Sequence, residues 1–332
     1  MTVRAATIVV MCCLAACSTD DEIGDTDSRQ PEQPRSGPGG SNYPHGDWRV
    51  SSGGQGVYAW YAFEPIDPAP ATAPLAIIMH GYGEYAGYDQ MYELIRHTVR
   101  SGNVVIYPRW QTGLASPCLG PFDVEPCLTS ARVGIYDALD FLAGEGHVHP
   151  QLDRTSYFGF SFGGIITANL ANRHAAWALP VPRAIFLDDL HDGALDGNGE
   201  VALDDAMDGI PETVKLTCHV GEDGILATVG VKQSCNALFP LLAHIPAANK
   251  DLVLTRTDRH GTPVLTSEHG VSAGGPGEAN AYDWNFVWRT WDALRSCAYD
   301  GVDCTYDRSL GAWSDGVPLL PLVIQDAAPI VP

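Results

Sequence analysis

The residues Gly159-Phe160-Ser161-Phe162-Gly163 have the types and spacing of a nucleophile and its surroundings. In a G-x-S-x-G turn the serine sits on a strained passage from strand to helix. Small residues two positions either side let that passage close without side-chain collision. The turn exposes the serine oxygen and points the next backbone N–H, here that of Phe162, at the same space. Attack on an acyl carbon and stabilisation of the resulting oxyanion could then share one local geometry. The context fits: Tyr157-Phe158-Gly159-Phe160 reads as the end of a buried strand, and residues 163–171 read as a helix with a small-residue start.

The elements that must position this turn are legible on either side of it. Residues 57–63 form an aromatic, roughly alternating run. Residues 75–80 form a continuous apolar run ending in Gly81-Tyr82-Gly83, and residues 103–108 form another, stopped by Pro108. Helical spacing follows at Val133, Tyr136, Leu139 and Leu142. Further short apolar runs lie at 184–187, 214–220 and 251–255. Short apolar strands alternating with helices predict an α/β fold, a mostly parallel central sheet covered by helices on both faces. In such sheets chemistry gathers at the carboxyl ends of the strands, where Ser161, Tyr82 and Asp223 all fall. Trp284, Trp288 and Trp291 are spaced as the core face of a late helix, and His147-Val-His149 reads as a surface turn.

Over residues 48–298 the chain resembles the α/β-hydrolase superfamily, with exported esterases and cutinase-like polyesterases the nearest group. The marks are His80-Gly81-Tyr82-Gly83 after the third strand, the Ser161 turn, Gly221-Glu222-Asp223-Gly224 after the seventh, and a histidine beyond the eighth. Serine, acid and histidine come in the superfamily's order. The resemblance implies a Ser-His-Asp triad with Ser161 as nucleophile, and an oxyanion hole from the N–H groups of Tyr82 and Phe162. Asp223 is the favoured acid; Asp188 or Asp189, ending the preceding strand, occupies a position that some relatives use. His269 is the favoured base, because Ser267-Glu268-His269-Gly270, a Gly-rich loop and a helix are similar to the late histidine loop of the polyesterases. His260, close behind a strand end, is the alternative. The implied reaction is hydrolysis of a small-molecule or polymeric carboxylic ester, without cofactor or metal. Peptidase, lactonase and non-catalytic ligand-binding readings of the same fold stay open.

The termini and composition set the compartment. Arg4, a short apolar run over residues 5–16 and small residues before Cys17 describe an export signal, too short to span a bilayer. Leu14-Ala15-Ala16-Cys17 resembles the lipobox of bacterial lipoproteins. That implies removal of residues 1–16, lipidation of Cys17 and, with Ser18 next, outer-membrane retention; plain secretion is the alternative. Residues 17–45, acidic and then Pro/Gly-rich, are expected to be a flexible linker, with one domain over 46–332. A net charge of −21 argues against nucleic acid as a partner. Six cysteines beyond the signal and Cys17 suggest three local bridges, Cys118–Cys127, Cys218–Cys235 and Cys297–Cys304. Residues 188–212 hold nine carboxylates and no Lys or Arg, which suggests a small, solvated acidic lid; Asp196 to Glu200 only faintly suggest a calcium loop.

Overall fold

The computed structural model describes residues 23–119, 123–191, 202–305 and 307–332. The expected signal, Cys17 and the Asp196–Glu200 loop lie outside the described residues. Nine strands form one sheet in the order β1-β2-β4-β3-β5-β6-β7-β8-β9. They are β1 (Asp47–Gly53), β2 (Trp60–Ile66), β3 (Thr72–Met79), β4 (Val104–Pro108), β5 (His149–Phe160), β6 (Pro182–Asp188), β7 (Lys215–Gly221), β8 (Lys250–Thr255) and β9 (Val323–Gln325). The six strands from β4 to β8 along the sheet pair in parallel, whereas β2 and β9 run antiparallel to their neighbours. The chain is thus of the α/β class, with a mostly parallel sheet.

Side chains alternate across that sheet and build a core on each face. On β3, Leu75, Ile77 and Met79 enter one core while Ala76 and Ile78 enter the other. The first core is closed by α2 (Glu125–Leu142) and α3 (Phe162–Asn172), through Leu128, Ile135, Ile165 and Ile166. The second is closed by α1 (Tyr92–Arg100) and a late helix, α6 (Trp288–Asp300), through Leu94, Val99, Trp288 and Trp291. Between β7 and β8 lie two short helices, α4 (Ile225–Val229) and α5 (Cys235–Leu238). The three expected cysteine pairs stand at bonding distance, with Cα atoms 5.6, 5.7 and 4.7 Å apart. Such bridges fit an oxidising, extracellular environment. Among the described residues no helix is long and apolar enough to cross a membrane.

Two expectations need correction. The described part of the supposed linker is bound to the body as a strap. Asp25 N–H donates to the Arg259 carbonyl, Thr262 N–H to Ser28, Ala281 N–H to the Gln30 side chain, and Trp284 Nε1 to Pro31. Composition misled here because the strap is held by backbone and amide hydrogen bonds rather than by apolar burial. A charged anchor is Asp292, which accepts from Gly39 N–H at 2.8 Å and from His97 Nε2 at 3.0 Å and pairs with Arg295. Asp292→Ala would orphan all three donors, so it is expected to cost about 3 kcal/mol. A denaturant melt matching the parent would contradict that anchoring role.

The second concerns only the flanks of the acidic segment, since residues 192–201 lie outside the described residues and Asp205, Asp208 and Glu212 are exposed as expected. Asp188 and Asp189 are wholly buried at the end of β6, and the part from 202 onward packs on α3. Asn169 donates to the Ala202 carbonyl, Arg173 Nε to Asp204 at 3.0 Å, and Met207 and Ile210 enter the first core. Charge count overlooked Arg173, which neutralises Asp204 from outside the segment.

Candidate active site

Ser161 stands between β5 and α3 with φ 56° and ψ −129°, a conformation that L-residues avoid unless the surroundings impose it. Three glycines make the surroundings possible. A Cβ on Gly159 would lie 2.4 Å from Thr167 Oγ1, one on Gly163 2.2 Å from the His80 carbonyl oxygen, and one on Gly164 2.6 Å from Leu190 Cβ. Ser161 N–H donates to the Asp188 carbonyl at 2.9 Å, tying the turn to β6. The side chain is held where little of it meets water, the residue being 7 % exposed.

His269 meets it. Ser161 Oγ and His269 Nε2 are 2.8 Å apart, and His269 Nδ1 lies 2.9 Å from Asp189 Oδ2. A carboxylate can only accept, so Nδ1 carries the proton and Nε2 is left to accept from the serine hydroxyl. Burial alone would lower the His269 pKa, but the hydrogen bond and charge of Asp189, with Asp188 and Glu84 behind, hold it above the ordinary value. The Phe160 ring lies on the imidazole at 4.9 Å, and His191 meets its edge at 6.3 Å. Loss of water and the neighbouring His269 lower the His191 pKa to about 4, so it stays neutral beside His269.

The acid is where the sequence reading is corrected. Asp189, not Asp223, is the carboxylate hydrogen-bonded to His269. Asp189 is fully buried and strained (φ 43°), and its oxygens also accept from Ile225 N–H at 3.0 Å and Ser234 Oγ at 3.4 Å. Asp223 instead accepts from Thr257 Oγ1 at 2.5 Å, while its backbone N–H donates to Ser267. The Gly221–Gly224 turn that was expected to present an acid packs against one: a Cβ on Gly224 would lie 2.3 Å from Asp189 Oδ2. The turn serves as a seat, and the carboxylate comes from the neighbouring strand.

His260, the alternative base, lies elsewhere in a contact set of its own. Its Nε2 is 2.7 Å from Asp315 Oδ2, its ring lies against Trp313, and its carbonyl accepts from Thr26.

The turn after β3 adjoins the serine because Gly163 abuts the His80 carbonyl. His80 is buried, stacked at 4.7 Å on Trp110, and donates from Nδ1 to the Gly81 carbonyl at 2.7 Å. Burial lowers its pKa to about 4, which keeps it neutral. Gly83 N–H donates to Gln111 Oε1 at 2.8 Å, and the Tyr82 hydroxyl to the Leu114 carbonyl. The Tyr82 ring stands edge-on to Phe162 at 5.7 Å. Phe162 is the first residue of α3, where N–H groups lack partners within the helix and the dipole favours negative charge.

A second buried carboxylate–histidine pair, which the sequence did not signal, supports the histidine loop. Asp188 Oδ1 is 2.5 Å from His219 Nδ1, and its Oδ2 accepts from Ser272 N–H at 3.0 Å. Burial would raise the Asp188 pKa; His219 and Ser272 outweigh it and bring it below the ordinary value. His219 Nε2 continues to Thr255 Oγ1 at 2.7 Å and thence to Ser267 Oγ at 2.6 Å. His269 is thus gripped on both flanks, at Ser267 and Ser272. Among the described residues no group of three or more His, Cys, Asp or Glu side chains could hold a metal ion.

No protein-family model matches the chain, and no curated protein matches it either.

Proposed function

We propose that this chain is a serine hydrolase of the α/β-hydrolase type that cleaves carboxylic esters outside the cytoplasm. The observation that carries the reading is the continuous hydrogen-bonded series Ser161 Oγ, His269 Nε2, His269 Nδ1 and Asp189 Oδ2, at 2.8 and 2.9 Å. A strained serine at the end of a central parallel strand supports it. Ser161 attacks the ester carbonyl as His269 takes its proton, and Asp189 fixes the imidazole and stabilises its charged form. The N–H groups of Tyr82 and Phe162 face the oxyanion. His269 then protonates the leaving alcohol, and water resolves the acyl-enzyme by the same route. The disulfides favour an exported enzyme, and a lipid on Cys17 would hold it at a membrane surface.

Labelling by a fluorophosphonate probe, abolished in Ser161→Ala, tests the activated serine. A panel of p-nitrophenyl esters run beside peptide anilides, lactones and a polyester film tests the substrate class. Labelling without ester turnover would redirect the reading to another acyl substrate. Absence of both would overturn it.

The pH dependence follows from His269. Its protonated form cannot accept the serine proton, so kcat/KM is lost as pH falls through the His269 pKa. Because that value is raised, the acid limb is expected to have its midpoint above 6.5. A midpoint at or below that value would count against the Asp189–His269 pairing.

A further inference from the structure

Glu84 is a half-buried carboxylate that feels the charge of His269 and that the mechanism above leaves unused. Its Oε2 accepts from Gly81 N–H at 3.1 Å, while its own N–H donates to the Gly81 carbonyl at 3.4 Å. Both edges of the Gly81 residue, which immediately precedes Tyr82, are therefore closed onto Glu84. A Cβ on Gly81 would fall 3.1 Å from Glu84 Oε1 and 3.0 Å from the Phe160 ring, the same ring that lies on His269. On the other side, the Gln90 amide nitrogen, turned to the carboxylate, donates to its two oxygens at 3.0 and 3.1 Å. The Gln90 carbonyl accepts from Gly274 N–H at 2.7 Å, in the loop that carries His269. Glu84 and Gln90 together therefore join the turn that precedes Tyr82 to the histidine loop.

Resting on the proposed hydrolase reading, we propose that Glu84 is a positioning residue of this site. Its carboxylate braces the Gly81-Tyr82 turn and the His269 loop together, and its charge adds to those of Asp188 and Asp189 in holding the His269 proton.

The placement has a chemical logic. A carboxylate near a developing oxyanion hinders catalysis if it is always charged, yet charge near the imidazole helps once His269 has taken the serine proton. Glu84 meets both demands because loss of water pushes its pKa up to about 7, while the Gly81 N–H and the charge of His269 pull it down. Its ionisation and that of His269 favour each other. The ionisable groups facing His269 are Asp188 and Asp189 at the end of β6, His191 just beyond it, and Glu84 after β3. Those facing Glu84 are His269 and, from β4, Tyr107.

The test is an NMR titration of the His269 ring in the full chain and in Glu84→Gln, read beside the pH profile of p-nitrophenyl butyrate hydrolysis. Glutamine keeps the shape and the acceptor for Gly81 N–H but removes the charge. The His269 midpoint is expected to fall by about half a pH unit in Glu84→Gln, less than the roughly 1–3 pH units of an adjacent charge, because Asp189 is the carboxylate that touches the ring. The acid limb of kcat/KM should move with it, and kcat should fall about tenfold with KM little changed. Glu84→Asp keeps the charge and shortens the reach, so it should lower kcat while leaving the midpoint in place. An unmoved His269 midpoint in Glu84→Gln overturns the proposal. A parent chain that hydrolyses no ester would overturn the functional reading instead, and the titration would still decide the role of Glu84.

Discussion

Ser161→Ala is expected to lower ester turnover by about 10⁶, the scale of losing a triad nucleophile, while thermal unfolding stays near that of the parent. The hydroxyl is the only atom removed, and the backbone strain at φ 56° is imposed by the packing of Gly159, Gly163 and Gly164. His269→Ala should cost about as much, because without Nε2 at 2.8 Å nothing accepts the serine proton. The double variant should be hardly worse than either single one, since residues that act as a unit are not additive. His260→Ala should cost about tenfold or less, as that ring is engaged with Asp315 and Trp313. Steady-state kinetics on one ester across the four variants decides it. More than about a tenth of the activity surviving in Ser161→Ala or His269→Ala would remove that residue from the mechanism.

The second large effect separates two aspartates. Asp189→Asn is expected to lower kcat by about 10⁴, because the amide would favour the imidazole tautomer with its proton on Nε2, facing the serine. Asp223→Asn should stay within about tenfold of the parent, its loss being confined to the contact with Thr257 Oγ1. Both variants are near-isosteric, so circular dichroism and a melt can show that folding is not the cause. The reverse ranking would mean that the seventh strand supplies the acid after all.

That pair of aspartates also marks what the sequence could and could not convey. Strand identity was readable because buried parallel strands leave continuous apolar runs, as in β3 and β6. The serine turn was readable because Gly159, Ser161 and Gly163 fall within one short stretch, even though the atoms that exclude a side chain there include distant His80. The acid was not, because it depends on how β6 and β7 align side by side, with Asp188 opposite His219. No local pattern encodes that alignment, and Gly-Glu-Asp-Gly looks as competent as Leu-Asp-Asp-Leu. Glu84 was hidden for a similar reason: its partners Gly81, Gln90 and the 269–274 loop meet only in three dimensions. The strap escaped because hydrogen bonds to main-chain groups leave no hydrophobic periodicity to detect.

The end of β6 bears on how this site can change over generations. Asp188 and Asp189 are consecutive, yet one grips His219 and the other His269. Consecutive residues here answer to opposite neighbours, so a one-residue insertion or deletion in β6 would move one aspartate into the other's place and leave the vacated place without a carboxylate. One of the two histidines, His219 or His269, would then lose its carboxylate partner. Length variation among descendants of this chain should therefore be excluded from β6. The two aspartates form one heritable unit, to be kept together or lost together.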